Sequence, residues 1–343
     1  MTRRTLLWCA AGMGLIAYPL LVNNFWLVQI GGRTLGFGTI ALSLVFLVAY
    51  GGMLSLAQMT VAGVAGYAVA YFTAPVAGVG LLLPWPLALL IALALATLAG
   101  LLIGLLAVRT LGIYTLMITL AIAMAFYFLT LQNYAIFNGY TGFSNVQPPV
   151  VAGVDFSRAL PFYYLSLAIA AACYGAVRHI TRTPFGLALQ GVRDNPRRLR
   201  SLGYDVARVR VVAFAIAGLL AGLGGILNLW LNGSISPASV GINPVIDVLM
   251  AAVLGGFLHP IGAYVGALVF TVVDNFAINF IARERFNTLI GLVFLAVVLF
   301  SPDGITGLLR RGRIWLEEKV ARLNRRRGRN AGSSSPMQSR QET

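Results

Sequence analysis

From Leu81 to Val108 the chain carries no charged side chain, and leucine, alanine, isoleucine and valine fill most positions. A run of about 20 apolar residues is what a helix needs to cross the hydrocarbon core of a bilayer. Runs of this kind, that one included, fall at roughly 6–22, 34–50, 53–73, 84–107, 110–131, 159–177, 211–231, 245–258, 261–281 and 286–300. The pattern predicts an all-α, polytopic membrane protein of about ten transmembrane helices. The eighth run is short for a full span, and the Gly255-Gly256 break with the turn at 259–262 fits half a helix and its return. A soluble enzyme is excluded, because 59% of the 343 residues are hydrophobic and 10% charged, against roughly 25% charged in soluble domains. A transmembrane barrel is excluded too, since barrel strands alternate apolar and polar residues over about ten positions.

Charge gives the expected orientation. Twenty-five basic residues face 10 acidic ones, a net of +15. Eight Arg and two Asp lie in Arg178–Arg210, and ten basic and three acidic residues lie in Arg310–Thr343. Positive loops are retained on the cytoplasmic side. Six crossings from a cytoplasmic N-terminus return 178–210 to the cytoplasm, and four more bring the tail there. Arg33, Arg158, Arg283 and Arg285 are then left outside. This parity counts 34–50 and 53–73 as two passes separated by Gly51-Gly52, and it takes the first run as a retained helix. The expected organisation is a membrane domain over 1–310, holding the cytoplasmic segment 178–210. A basic cytoplasmic tail over 311–343 follows, disordered after about 325. Orientation accounts for the basic residues without a nucleic-acid partner. Cys9 and Cys173 lie in apolar runs and suggest small core residues.

Few polar residues interrupt the spans: Ser55, Gln58, Thr119, Asn228, Asp247, Asp274 and Asn275. An acid within the bilayer is costly unless solvated or paired. Ser55, Gln58, Thr119, Asn228, Asp247 and Asp274 are therefore candidates to line a translocation path. Asp247 also reads as a rim residue after Asn243-Pro244, and Asp274 as one half of a pair across helices. Gly51-Gly52-Met53-Leu54 and Gly255-Gly256-Phe257-Leu258 read either as corresponding breaks in two halves, the pattern of midplane transporter sites, or as coincidence in a glycine-rich chain.

Catalytic chemistry is missing from the sequence. Its two histidines, His179 and His259, form no H-E-x-x-H, and its single lysine, Lys319, follows no G-x-x-x-x-G-K-[ST] loop. No catalytic, cofactor or metal residue is expected, and energy for uphill transport would come from another subunit.

One internal loop is not apolar. In Thr183–Val206, Phe185, Leu189 and Val192 follow helical spacing. Asp194 or Asn195 is placed to cap a second short helix, with Pro196 at its first position. Leu199 and Leu202 follow on one face, and Gly203 ends it. An amphipathic pair with exposed apolar teeth suits docking onto another protein; an interfacial helix resting on lipid is the alternative.

The stretch Phe185-Gly186-Leu187-Ala188-Leu189 through Arg193, Asn195 and Gly203 resembles the coupling loop of permeases in branched-chain amino acid ABC importers. The closer likeness is to the longer of their two permease subunits. Tyr50–Gln58, Gly63–Tyr67, Arg109–Tyr114 with Thr119-Leu120-Ala121, Ile246–Leu249 with Gly255-Gly256, and Ser301–Gly307 resemble further stretches of that family in the same order. Arg200 stands where a small residue is more usual, and Ala57 replaces a frequent glycine. The resemblance implies ATPase coupling through Phe185, Gly186, Leu189, Arg193, Asp194, Asn195, Leu199, Leu202 and Gly203. It further implies a bacterial inner-membrane heterodimer with a second related permease, two cytoplasmic ATP-binding subunits that bind the ATP, and an external substrate-binding protein. Urea and short-amide importers share the family, and an ion-coupled carrier is the more distant rival.

Overall fold

The structure, a computed structural model, describes residues 12–20, 22–73, 80–110, 112–151 and 153–280, with Gly291, Leu292, Gly304, Ile305 and Gly307 beyond them. The tenth expected span, the start of the first and the basic tail lie outside the described residues. A helical stretch over 12–20 precedes α1 (Trp26–Gly51), which is π-helical to Gly32 and α-helical from Arg33. The other helices are α2 (Gln58–Thr73), α3 (Trp85–Ala107), α4 (Ile113–Gln132), α5 (Tyr134–Phe137), α6 (Ala159–Ile180), α7 (Pro184–Asp194), α8 (Pro196–Ser201), α9 (Val206–Asn232), α10 (Ile242–Gly255) and α11 (Ile261–Phe280). Among the described residues, five helices are long and apolar enough to span a membrane: α1, α3, α4, α6 and α9. The chain is an all-α, multi-pass membrane protein.

Three expected helices differ in extent, one of them being that expected from 211, which starts at Val206 after the Asp205 cap. The helix expected over 34–50 starts eight residues earlier, because the weakly hydrophobic Gln29-Ile30-Gly31-Gly32 stretch still forms helical hydrogen bonds and buries Leu27 and Ile30. The helix expected from 53 starts at Gln58, because 52–57 are non-helical. As the short eighth run anticipated, α10 has 14 residues.

α1 is the central post, buried at almost every position from Thr34 to Leu47. It can be apolar all round because it has packed neighbours all round. α3 instead buries one stripe of small residues, Ala88, Ala92, Ala96, Gly100, Gly104 and Ala107, and turns Leu90, Leu98 and Leu102 outward. This inverts the pattern of a water-soluble helix and follows membrane packing, where small residues let backbones meet. α3 and α9 run antiparallel: Gly100 lies against Gly218, Ala96 against Gly222, and Gly104 against Phe214 and Val211.

α10 and α11 form an antiparallel hairpin, with Gly255 against Gly262 and Ala251 against Gly266. α7 and α8 sit at one end of the bundle, here the near end. At the far end, two two-stranded antiparallel ladders cap the helices. β1 (Phe143–Ser144) pairs with β4 (Ser234–Ile235), and β2 (Val150–Val151) with β3 (Val154–Asp155).

The close approach of α9 to α2 gives a prediction. A Cβ on Gly225 would sit 2.1 Å from the Ala62 carbonyl oxygen, whereas one on Gly175 meets nothing within 4 Å. Overpacking costs typically about 1–3 kcal/mol, and here backbone rather than a side chain would have to yield. Gly225→Val is expected to lower the unfolding temperature in detergent and the yield of monodisperse protein. Gly175→Ala should match the parent, and equal stability of the two variants would contradict the packing.

Candidate functional site

The non-helical passage between α1 and α2 is where polar groups gather. α1 ends at Gly52, whose left-handed φ of 65° returns its amide to the Val48 carbonyl, while the Met53 amide reaches Leu47. Where it is buried, such a break needs internal partners for its backbone. The Leu56 amide donates to Thr119 Oγ1 of α4 at 3.0 Å, and the Ala57 amide to Ser55 Oγ at 3.3 Å. Gln58 Oε1 accepts from the Ser43 hydroxyl at 2.9 Å, joining the start of α2 to the middle of α1. Ser43, Ser55, Gln58 and Thr119 are all at most 3% exposed.

Ser55, Gln58 and Thr119 thus come together. Asn228, on α9, lies apart from them on a small cavity lined by Met59 and Gly63 of α2 and by Asn232 and Ser239, and its Oδ1 accepts from Asn232 Nδ2 at 2.7 Å. Asp274 stays apart from this group. It holds Arg33 at 2.7 Å, tying α11 to the first turns of α1. Asp247, half-buried on α10, lies within electrostatic reach of that pair. Of the two sequence readings of Asp274, the geometry has the pair across helices.

The near-end segment is built by caps. Thr183 Oγ1 accepts from the Gly186 amide at the start of α7, and Asn195 Oδ1 from the Arg198 amide at the start of α8. Asn195 rather than Asp194 is therefore the cap; Asp194 pairs with Arg193 at 2.9 Å. Gly186 is a close approach, since a Cβ there would lie 2.3 Å from the Ile180 carbonyl oxygen. Gly203, at φ 87°, takes the left-handed turn after α8. A further cap was not read from the sequence: Asp205 Oδ1 accepts from Ala207 and Arg208 at the start of α9.

Of the expected apolar teeth, Leu202 faces outward and the others point the other way. Leu189 is fully buried near Gly51, Phe185 packs on the main core, and Val192 and Leu199 cluster with Val206. The helical period identified a face without saying which side of the segment the bundle occupies. The outward apolar residues are Leu187, Leu202 and Tyr204, at 63%, 68% and 49% exposure; Leu187 and Tyr204 were missed.

Arg193 connects the segment to the helix break. Its guanidinium donates through Nη1 to the Ala49 carbonyl in the last turn of α1, and its aliphatic stem lies against Gly52. A cation at a helix C-terminus also meets the negative end of the helix dipole. Arg193 thus links the near-end helices to the same break that Ser55, Gln58 and Thr119 line. Among the described residues no group of three His, Cys, Asp or Glu side chains is placed to hold a metal.

This network predicts a selective lesion. Thr119→Val removes the acceptor of the buried Leu56 amide, and an unpaired buried polar group costs about 1–3 kcal/mol. Thermal stability should fall and amide exchange at Leu56 should rise, while Thr119→Ser keeps both near the parent. Parental exchange in Thr119→Val would remove Thr119 from the support of the break.

Comparison with known proteins now bears on the site. The permease LivM of the high-affinity branched-chain amino acid transport system of Salmonella typhimurium is 25% identical over 318 residues, covering 86% of this chain and 73% of that protein. A probable branched-chain amino acid transport permease LivH of Methanocaldococcus jannaschii is 29% identical over 136 residues, 37% of this chain and 42% of that one. The autoinducer 2 import permease LsrC of Klebsiella pneumoniae is 33% identical over 129 residues, 36% and 37% of the two chains. No solved structure matches the chain. The family model described as branched-chain amino acid transport system, permease component, matches residues 27–298. That range takes in α1 through α11, the helix break and the Arg193 link, and the chain belongs to this family.

Proposed function

We propose that the chain is the membrane-spanning permease subunit of an ATP-driven importer for branched-chain amino acids, in the bacterial cytoplasmic membrane. The observation that carries this reading is the attachment of α7 and α8, through Arg193 and Leu189, to the end of α1 beside a buried polar break. The printed functions of LivM and LivH support the substrate class.

In this reading the near end faces the cytoplasm. Arg109 and the eight Arg of 178–210 gather there, while Arg33 and Arg158 lie toward the other end. Both termini are cytoplasmic, about ten helices cross, 1–310 forms the membrane domain, and 311–343 is a basic cytoplasmic tail. A second related permease pairs with this chain, two ATP-binding subunits dock below, and an external binding protein delivers substrate. The chain itself carries no catalytic group and no cofactor.

The work of ATP then enters mechanically. A partner ATPase grips Leu187, Leu202 and Tyr204, with Arg197, Arg198 and Arg200 around them. Movement of α7 drags the end of α1 through Arg193. Because 52–57 is non-helical, it absorbs the displacement and shifts Ser55, Gln58 and Thr119 relative to one another. Asn228 continues the route along α2, and the Arg33–Asp274 pair holds α1 to α11 while the near end moves.

Two measurements follow. Proteoliposomes holding this chain with its partner permease, ATPases and binding protein should take up leucine only with ATP on the ATPase side, and the isolated chain should hydrolyse none. Uptake driven by an ion gradient without ATPases would contradict the reading. Leu187→Asp with Leu202→Asp should cut ATPase co-purification about tenfold or more, the scale of lost interface hot spots, and leave membrane insertion intact. Undiminished co-purification would move the docking surface elsewhere.

A further inference from the structure

A large cavity lies away from the polar break. It has a volume of about 500 Å³ and sits between the helical stretch 12–20, the first turns of α1, α6 and α11. α6 and α11 both lean on α1, and the slot between them is bridged at one level, where the Tyr264 hydroxyl donates to the Ala170 carbonyl at 3.0 Å. Its lining includes Leu15, Leu167, Ala171, Val265 and Leu268; Leu15, Ala171 and Leu268 are exposed, so the slot opens sideways from the bundle. A volume in this range is typical of ligand pockets.

The wall decides what fills it. The Tyr18 and Tyr163 hydroxyls are spent on the Trp26 and Leu15 carbonyls. Thr34, 7% exposed, lines the slot with its Oγ1 buried and unbonded. A stable buried water needs two to four polar partners, which this wall does not offer. An empty apolar cavity destabilises in proportion to its volume. An amino-acid substrate would leave its ammonium and carboxylate without counter-charges, since among the described residues no charged side chain lines the slot. The apolar material that reaches a side opening in a membrane helix bundle is lipid.

We propose that this slot is a binding site for a lipid acyl chain, held between α6 and α11 by its apolar lining. The occupant props α6 against the outer half of α1, on the flank where Arg33 meets Asp274. The site recognises the chain rather than the headgroup, because none of the described lining residues carries a charge.

The test uses the full chain in vesicles of phosphatidylethanolamine and phosphatidylglycerol, doped with phosphatidylcholine bearing a diazirine in its acyl chain. Protein is extracted, exchanged extensively into detergent, then irradiated and mapped by mass spectrometry. Labelling should persist at Leu167, Val265 and Leu268 and be largely lost from Leu98 and Leu102 on the outward face of α3. Ala171→Trp and, separately, Leu268→Trp fill the slot and should lower its labelling several-fold; labelling of α3 before detergent exchange reports that each variant is still inserted. Thr34→Val should keep the slot labelled. Loss of slot and α3 labelling together on exchange, or full slot labelling in both tryptophan variants, would overturn the proposal and leave the transport reading untouched.

Discussion

Inside a packed helix bundle, a backbone that leaves its helix must find its hydrogen-bond partners within the protein, and the break at Gly52–Ala57 organises this molecule around that constraint. Its amides are taken up by Val48, Leu47, Thr119 and Ser55, and the exposed carbonyl of Ala49 by Arg193. The partners come from the end of α1, the break itself, α4 and the near-end segment. The break therefore binds α1, α2, α4 and the near-end segment into one polar knot, in a bundle otherwise packed through glycine and alanine. A rigid helix would transmit force without changing its lining; a break held by side chains changes its lining when one of them moves.

A similar device recurs on the other side of α1. Gly256, at φ 91°, ends α10, and the backbone of Gly304 packs directly on it. The two glycine pairs noticed in the sequence are thus both helix ends with left-handed or extended turns. They frame α1, which is in contact with α2 and with the α10–α11 hairpin. The Arg33–Asp274 pair and the Thr39–Tyr264 contact fasten the hairpin to α1 at successive levels. In the proposed cycle one side of the post is bolted while the other is pulled.

Much of this was legible in the sequence, and the remainder failed for physical reasons. Long apolar runs gave the helices of the described residues to within a few positions, because lipid tolerates no other spanning structure here. Caps at Asn195 and the turn at Gly203 were readable because they are local chemistry. The early start of α1 was not, since its glycines and Gln29 lower hydropathy without forbidding helix. The non-helical 53–57 read as helix because hydropathy alone does not separate the two. The facing of Leu189 and Val192 was hidden, because periodicity fixes a face and not its neighbour. Arg193 was one arginine among eight in its loop, and its partner carbonyl lies 144 residues away.

The account rests on Arg193 as the link between ATPase movement and the break. The direct measurement is the number of leucine molecules imported per ATP hydrolysed, in proteoliposomes of the complete complex carrying Arg193→Ala. The guanidinium contacts Ala49 and Asp194 and lies apart from the outward Leu187–Leu202 surface, so the ATPases should stay bound and continue to hydrolyse. The ratio should fall several-fold, with Arg193→Lys recovering part of it, as expected for a point charge in place of a directional fork. A parental ratio in Arg193→Ala would contradict mechanical coupling through the end of α1.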